Sequence, residues 1–205
     1  MELYNVFCVC GIILILFSVG ESFLKNNNLK KYYVLVFFAL TFFATYLPKI
    51  SIFGLSFSIN FFLFLGLFVL FIFKNKNLKE LLKILLMSCV SFAFCVCYNS
   101  INLLQYEFAY FQPYLVLCVI LGVVCCFISL KFSSIFCGLF VGVTISELIR
   151  SQDKMFVENI FSLGDLQFVS LIVFTLFVFV VSRQLITLVS KLKQTRKANK
   201  TAKQN

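Results

Sequence analysis

The stretch LQFVSLIVFTLFVFVVSRQLITLV, residues Leu166–Val189, decides the fold of this chain. It runs for 24 residues with Arg183 as its single charged side chain. An α-helix needs about 20 mainly apolar residues to cross the hydrocarbon core of a bilayer, so this stretch predicts a transmembrane helix. Hydrophobic residues make up 61% of the whole chain, against roughly 45–50% in soluble domains. Lipid is therefore the solvent that fits this composition.

Six other apolar stretches predict further transmembrane helices, several of them near the lower length limit. We therefore expect an all-α polytopic transmembrane bundle of about seven helices. It forms a single domain over residues 1–190, followed by a basic cytoplasmic tail at 191–205. The seven predicted spans are Tyr4–Phe23, Tyr32–Leu47, Asn60–Phe73, Leu81–Tyr98, Pro113–Leu130, Phe132–Ile149 and Leu166–Val189.

The basic residues are distributed unevenly between the two sides of these spans. Of the 18 Lys and Arg residues, 13 fall in the tail or in the connections after spans one, three and five, and Lys83 and Arg183, within spans four and seven, bring the number on that side to 15. Lys49, Arg150 and Lys154 fall on the other side. Because cytoplasmic connections of membrane proteins carry the excess of Lys and Arg, we expect a protein of the cell membrane with its N-terminus outside and its C-terminus in the cytoplasm.

The segment Ile50–Asn60 differs from its surroundings. From Leu55 to Asn60, apolar residues alternate with Ser or Asn, which is the two-residue period of a strand, and Gly54 can form a turn. Pro48 closes the preceding helix. Since an unpaired strand cannot face lipid, we expect a short β-hairpin or a re-entrant segment here. A longer third span is the alternative.

Two predicted spans carry small residues at every fourth position. Small residues let helix backbones approach closely in a membrane, and only a short turn around Lys131 joins the two spans. We therefore expect them to form an antiparallel hairpin that is the central packing element of the bundle. The helix-packing residues are Ser134, Gly138, Gly142 and Ser146 in the sixth span and Cys118, Gly122 and Cys126 in the fifth.

An acidic pair lies against the predicted outer face. Glu147 is near the outer end of span six and Asp165 is at the entrance to span seven. Ionisable groups at membrane depth are costly and mark candidate functional sites. We expect Arg150 to neutralise them, with Lys154 next nearest. The cluster predicts either a structural group of ion pairs or a site for a cation or polar solute, and Gln167, Asn99 and Asn102 are the other polar side chains assigned to it.

Several chemistries are excluded by residue type. The chain has no histidine, so a Ser–His dyad and an HExxH zinc site are absent. The nine cysteines lie within predicted spans and form no CxxC pair. We expect buried free thiols, no metal site and no cofactor.

Ser162-Leu163-Gly164-Asp165, followed by an apolar span, resembles the GxGD motif of intramembrane aspartyl proteases such as presenilin and signal peptide peptidase. Ser162 stands where those enzymes have their first glycine. They also need a second aspartate in a neighbouring helix, and the other aspartate here, Asp153, falls in a predicted loop. We interpret the match as incidental.

The chain also resembles an uncharacterised family of prokaryotic polytopic membrane proteins of the kind common in Firmicutes. Three patches carry the likeness: the Leu55–Asn60 alternation, Glu147-Leu148-Ile149, and Asp165 at the start of the last span. The resemblance implies this architecture in a bacterial protein and implies no activity.

Three functions are consistent with these patterns. The first is a non-enzymatic scaffold or assembly factor of the cell envelope. The second is a small membrane subunit that transports a cation or solute by way of Glu147 and Asp165, and the third is a degenerate intramembrane aspartyl protease. The expected partners are the lipid bilayer and other membrane proteins. A tail without aromatic residues does not favour nucleic acid.

Overall fold

The computed structural model describes residues 12, 30–52, 55–74, 77–103, 113–129, 131–158 and 162–201. Within these ranges the chain forms six helices and three short strands. The helices are α1 (Lys31–Ala44), α2 (Ile59–Lys74), α3 (Leu78–Leu103), α4 (Pro113–Ile128), α5 (Phe132–Glu158) and α6 (Leu166–Thr201). The strands are β1 (Ile50–Ile52), β2 (Leu55–Phe57) and β3 (Ser162–Leu163).

The helices coincide with predicted spans two to seven, whereas the first predicted span, Tyr4–Phe23, lies outside the described residues except for residue 12. The count of seven is therefore not confirmed. By length and apolar composition, three described helices can cross a membrane, namely Leu78–Tyr98 in α3, Phe132–Gln152 in α5 and Gln167–Ser190 in α6. The other three are apolar but shorter, with 14 to 16 residues each.

The three longest helices continue beyond the predicted spans because helical hydrogen bonding persists into polar sequence. An apolar run marks where a helix can lie in lipid, and it does not mark where the helix ends. In α6 the helix passes Val189 and ends at Thr201, so the backbone of the predicted basic tail is helical over most of its length.

Four helices contact one another in the cyclic order α3, α5, α6, α4, and the most extensive contacts are those of α3 with α5 and of α4 with α6. We name this arrangement the four-helix ring. Outside it, α2 packs on α5, and α1 packs on α2. The expectation that α4 and α5 form a central hairpin was wrong: they follow each other in the chain but are not neighbours in the ring.

The reason for this correction is the direction in which each row of small residues faces. On α5, a methyl group at Gly138 would lie 2.5 Å from Met87 Cβ of α3, and one at Gly142 would overlap Ser91 Oγ. On α4, a methyl group at Gly122 would lie 2.7 Å from Val178 Cβ of α6. Each row therefore fits its helix against a different partner.

Aromatic side chains fill the space between α2, α5 and α6. Phe64 and Phe136 are essentially fully buried and their ring centroids are 5.9 Å apart. Phe140 is 6.0 Å from Phe168 in an edge-on arrangement, a geometry that aromatic pairs prefer. Phe61, at the start of α2, contacts both Phe140 and Phe168, and so joins the core to the sheet.

The segment between α1 and α2 is a β-hairpin, as the alternation predicts. β1 and β2 pair antiparallel with Ser51 opposite Ser56. β3 then adds to β2 in parallel, with Phe57 opposite Leu163. We name the end of the bundle that carries this three-stranded sheet the sheet end.

Described cysteines are free thiols. Four are buried, namely Cys95, Cys118, Cys125 and Cys137, and Cys126 is half-buried. The expectation of burial was wrong for Cys89 and Cys97, which are exposed on α3. Both fall on a face of α3 that does not enter the ring, and a thiol is apolar enough to lie there.

Candidate functional site

The turn from β3 into α6 is fixed to the bundle at Gly164. This glycine has a φ of 77°, a left-handed conformation that costs other residues roughly 1–2 kcal/mol. A methyl group on Gly164 would also lie only 2.6 Å from Phe61 Cβ. The Gly164 backbone N–H donates to Glu147 Oε2 over 3.2 Å. Both the backbone shape and the tight packing of this turn therefore require glycine.

Asp165 directly precedes α6 and connects three parts of the sheet end. One carboxylate oxygen, Oδ1, forms a salt bridge with Lys49, which lies just before β1. The other, Oδ2, accepts a hydrogen bond of 2.8 Å from Ser162 Oγ in β3. The backbone carbonyl of Asp165 accepts from Val169 N in the first turn of α6. An aspartate is favourable here because the unpaired amides at a helix N-terminus attract negative charge.

Arg150 lies one turn beyond Glu147 on α5. Arg150, which we expected to neutralise the acidic pair, donates from Nη1 to Gln167 Oε1 over 2.8 Å. The pairing of Lys49 with Asp165 was missed, because 116 residues separate the two in sequence. The antiparallel hairpin and the parallel addition of β3 bring them together, and no short-range pattern reveals this.

A cavity of about 50 Å³ lies between α3, α5 and α6 at the sheet end. Glu147, Arg150 and Gln167 form its polar part. Its remaining lining residues are Cys95 and Tyr98 from α3, Val143 and Ser146 from α5, and Phe168 and Leu171 from α6. A second cavity of about 20 Å³ lies next to it, between Arg150 and the Ser162–Asp165 turn.

The structure thus brings together four of the six predicted polar-site residues. Glu147, Arg150 and Gln167 line both cavities, and Asp165 lines the smaller one. Asn99 and Asn102 belong to the last turns of α3, and their side chains lie outside the described part of the molecule. The two acids and the two bases, Lys49 and Arg150, carry equal and opposite formal charge.

The predicted packing residues occupy two separate interfaces. Ser91 Oγ of α3 lies 3.3 Å from Gly138 O of α5, as well as 2.8 Å from the Met87 carbonyl of its own helix. On α4, Cys118 is fully buried, and Cys126 Sγ lies 3.7 Å from the Phe179 carbonyl of α6. Ser146, the last residue of the α5 row, is buried at the larger cavity.

A second charged cluster, at the opposite end of α3, was missed. Glu80 is 7% exposed, and its carboxylate accepts a hydrogen bond of 2.7 Å from Ser134 Oγ. Lys83 and Lys131 each form a 3.2 Å salt bridge with it. The sequence signal was Glu80 itself, an acid within a lysine-rich segment. Its partners on the α4–α5 connection and on α5 become visible only in the fold.

The helical ring, its apolar helices and the small sheet at one end define an integral membrane protein. The chain belongs to the family of YphA-like integral membrane proteins, whose family model matches residues 4–205. No curated protein and no solved structure matches the chain significantly.

Proposed function

We propose that this protein is a non-enzymatic scaffold or assembly factor of the cell envelope, held in the cell membrane with the sheet end outside. The observation that carries the proposal is the way in which the acidic pair is used. Glu147 holds the Gly164 turn, and Asp165 joins Lys49 to Ser162. Both carboxylates thus fasten the sheet to the bundle, as expected of residues that shape a fixed contact surface.

The net charge of the acidic pair and its two basic neighbours also supports a scaffold role. Two carboxylates without nearby bases would repel each other and favour a bound cation or proton. Here Lys49 contacts Asp165 directly, and Arg150 lies on the same face of α5 as Glu147, one turn away. A neutral cluster needs no added cation for its stability.

The free edge of the sheet is the surface on which a partner would dock. Among the residues that the structure describes, β1 is an edge strand that pairs on one side only. Its two isoleucines are exposed, Ile50 by 43% and Ile52 by 39%. An exposed edge strand presents unpaired backbone groups to which another chain can add as a strand. We therefore place the partner contact of the scaffold at β1.

A small cation- or solute-transporting subunit is the second candidate, because an ionisable group lines the larger cavity between α3, α5 and α6. Glu147 lines that cavity together with Arg150 and Gln167. Ionisable groups within membrane bundles commonly mark ion or substrate paths. In this case Glu147→Gln should abolish uptake while the protein stays folded.

Photo-crosslinking in cells separates the two candidates. A photoreactive residue at Ile50 or Ile52 should give a discrete protein adduct, whereas one at Leu188, which is also exposed but lies on α6, serves as the control. A variant with Ile52→Lys should lose the partner on capture in mild detergent. If neither β1 position gives an adduct and Glu147→Gln abolishes solute uptake, the scaffold hypothesis is wrong and the transporter hypothesis is supported.

A further inference from the structure

We propose that the larger cavity binds a small zwitterion, a molecule or headgroup that carries a primary ammonium group and an oxyanion close together. The site lies between α3, α5 and α6. Glu147 would receive the ammonium group and Arg150 the oxyanion. The site is separate from the β1 edge assigned to partner contact, so it goes beyond the proposed assembly role.

The first support is the presence of both charge signs on one wall. Glu147 and Arg150 are three residues apart on α5, which places them on the same helix face, and both line the cavity. A bare cation beside Glu147 would also lie near Arg150, and a bare anion beside Arg150 would lie near Glu147. A ligand that carries both charges satisfies both side chains at once, which neither a cation nor an anion alone can do.

The second support is that the protein already orients both groups. Gly164 N–H holds Glu147 through Oε2, and Gln167 Oε1 accepts from a single guanidinium nitrogen of Arg150. A guanidinium has five N–H donors in a fixed fork, so one bond to Gln167 leaves donors for an oxyanion. Groups held in place before binding lose less conformational entropy when the ligand arrives.

The third support is size. One water molecule needs about 10–15 Å³ of cavity volume. A cavity of about 50 Å³ therefore has room for roughly three to five water-sized groups. A zwitterion with about that number of heavy atoms, such as glycine, fills it. The apolar wall of Val143, Phe168 and Leu171 would contact the short carbon link between the two charges.

Two sources supply this chemistry, a free amino acid and the ethanolamine headgroup of a phospholipid. A lipid headgroup would reach the site from the surrounding membrane. The free molecule would enter from the aqueous side at the sheet end. The same two side chains would recognise both, so the experiment must separate the sources.

Calorimetric titration of the detergent-purified full chain tests the site with three probes of similar size: glycine, ethylamine and acetate. We expect saturable binding of glycine, and affinity weaker by about tenfold or more for the probes that carry one charge. Glu147→Gln and Arg150→Gln should each weaken glycine binding by a similar factor, and Arg150→Lys should retain part of it. Thermal melting of every variant confirms that it is folded.

For the lipid source, native mass spectrometry after purification from mixed lipid should show phosphatidylethanolamine retained over phosphatidylglycerol, with the preference lost in Glu147→Gln. Binding of glycine, of this lipid or of both supports the site and identifies its source. If neither binds to the folded protein, or if ethylamine binds as well as glycine and Arg150→Gln has no effect, the proposal is wrong. Partner capture through β1 is measured separately, so either idea can fail alone.

Discussion

Gly164 and Glu147 are joined by a hydrogen bond of 3.2 Å from the glycine backbone N–H to the carboxylate Oε2. The bond crosses from the turn before α6 to the middle of a helix that begins more than thirty residues earlier. Through this bond the Glu147 carboxylate of α5 stabilises the turn that follows β3. The acid, the left-handed glycine and the sheet therefore form one structural unit.

Gly164→Ala should destabilise the protein strongly. The left-handed backbone alone costs an alanine roughly 1–2 kcal/mol, and the added methyl group would press on Phe61 Cβ at 2.6 Å. The measurement is the thermal midpoint in mild detergent. Gly66→Ala is the matched control, because a methyl group there meets nothing within 4 Å. Equal midpoints for the two variants would contradict the assigned role of the turn.

Glu147→Ala should lower stability by about 1.5–3 kcal/mol, the range for losing a hydrogen bond that involves a charged group. Glu147→Gln should lose less, because an amide oxygen can still accept from Gly164 N–H. Proteolysis of the detergent-solubilised protein near residues 162–165 reports the loosened turn. Unchanged protection in Glu147→Ala would show that the turn is held by its other contacts alone.

Gly142→Leu should disrupt the packing of α5 on α3. Even a methyl group at Gly142 would overlap Ser91 Oγ and lie 2.5 Å from the Ser88 carbonyl. Overpacking of a tight interface costs roughly 1–3 kcal/mol or more. Gly66→Leu is the control on α2. Engineered cysteine pairs across α3 and α5 should crosslink in the control and fail to do so in Gly142→Leu, while retained crosslinking would contradict the close contact.

Glu80→Ala should destabilise the end of the ring opposite the sheet. The variant loses the 2.7 Å hydrogen bond from Ser134 and both lysine salt bridges. Lys131 is exposed and Lys83 is half-buried, so both ammonium groups can regain water, and the expected loss is about 1–3 kcal/mol. Lys79→Ala, an exposed neighbour in the same turn, should be near neutral. The measurement is the thermal midpoint in mild detergent. If both variants have the midpoint of the native protein, Glu80 does not stabilise this end of the ring.

The orientation of the protein in the membrane is predicted from the distribution of its Lys and Arg residues. A phosphatase reporter fused after Asn205 should be inactive, and one inserted within Glu107–Gln112 should be active, because 15 of the 18 basic residues fall on the side assigned to the cytoplasm. The reverse pattern of activity would invert the topology and place the sheet end in the cytoplasm.

What could be predicted from the sequence was local. The apolar runs located six helices, and the alternation after Leu55 located the hairpin, because both depend on neighbouring residues. The row of small residues on α5 was recognised, but its partner was not, since spacing shows that a helix has a close-packing face without showing which helix meets it. Lys49 with Asp165 and Glu80 with Ser134 were missed for the same reason: each pair is formed only when distant segments pack.

The parallel pairing of β3 with β2 also bears on the order of assembly during synthesis. Ser56 and Ser162 lie opposite each other in the sheet but are about a hundred residues apart in the chain, and such non-local pairing forms late. A ribosome delivers α2 to α5 before β3 exists. Until β3 is made, the β2 edge of the hairpin is open as well as the β1 edge, so a nascent chain stalled before residue 162 offers the β2 edge to any chaperone or insertase present.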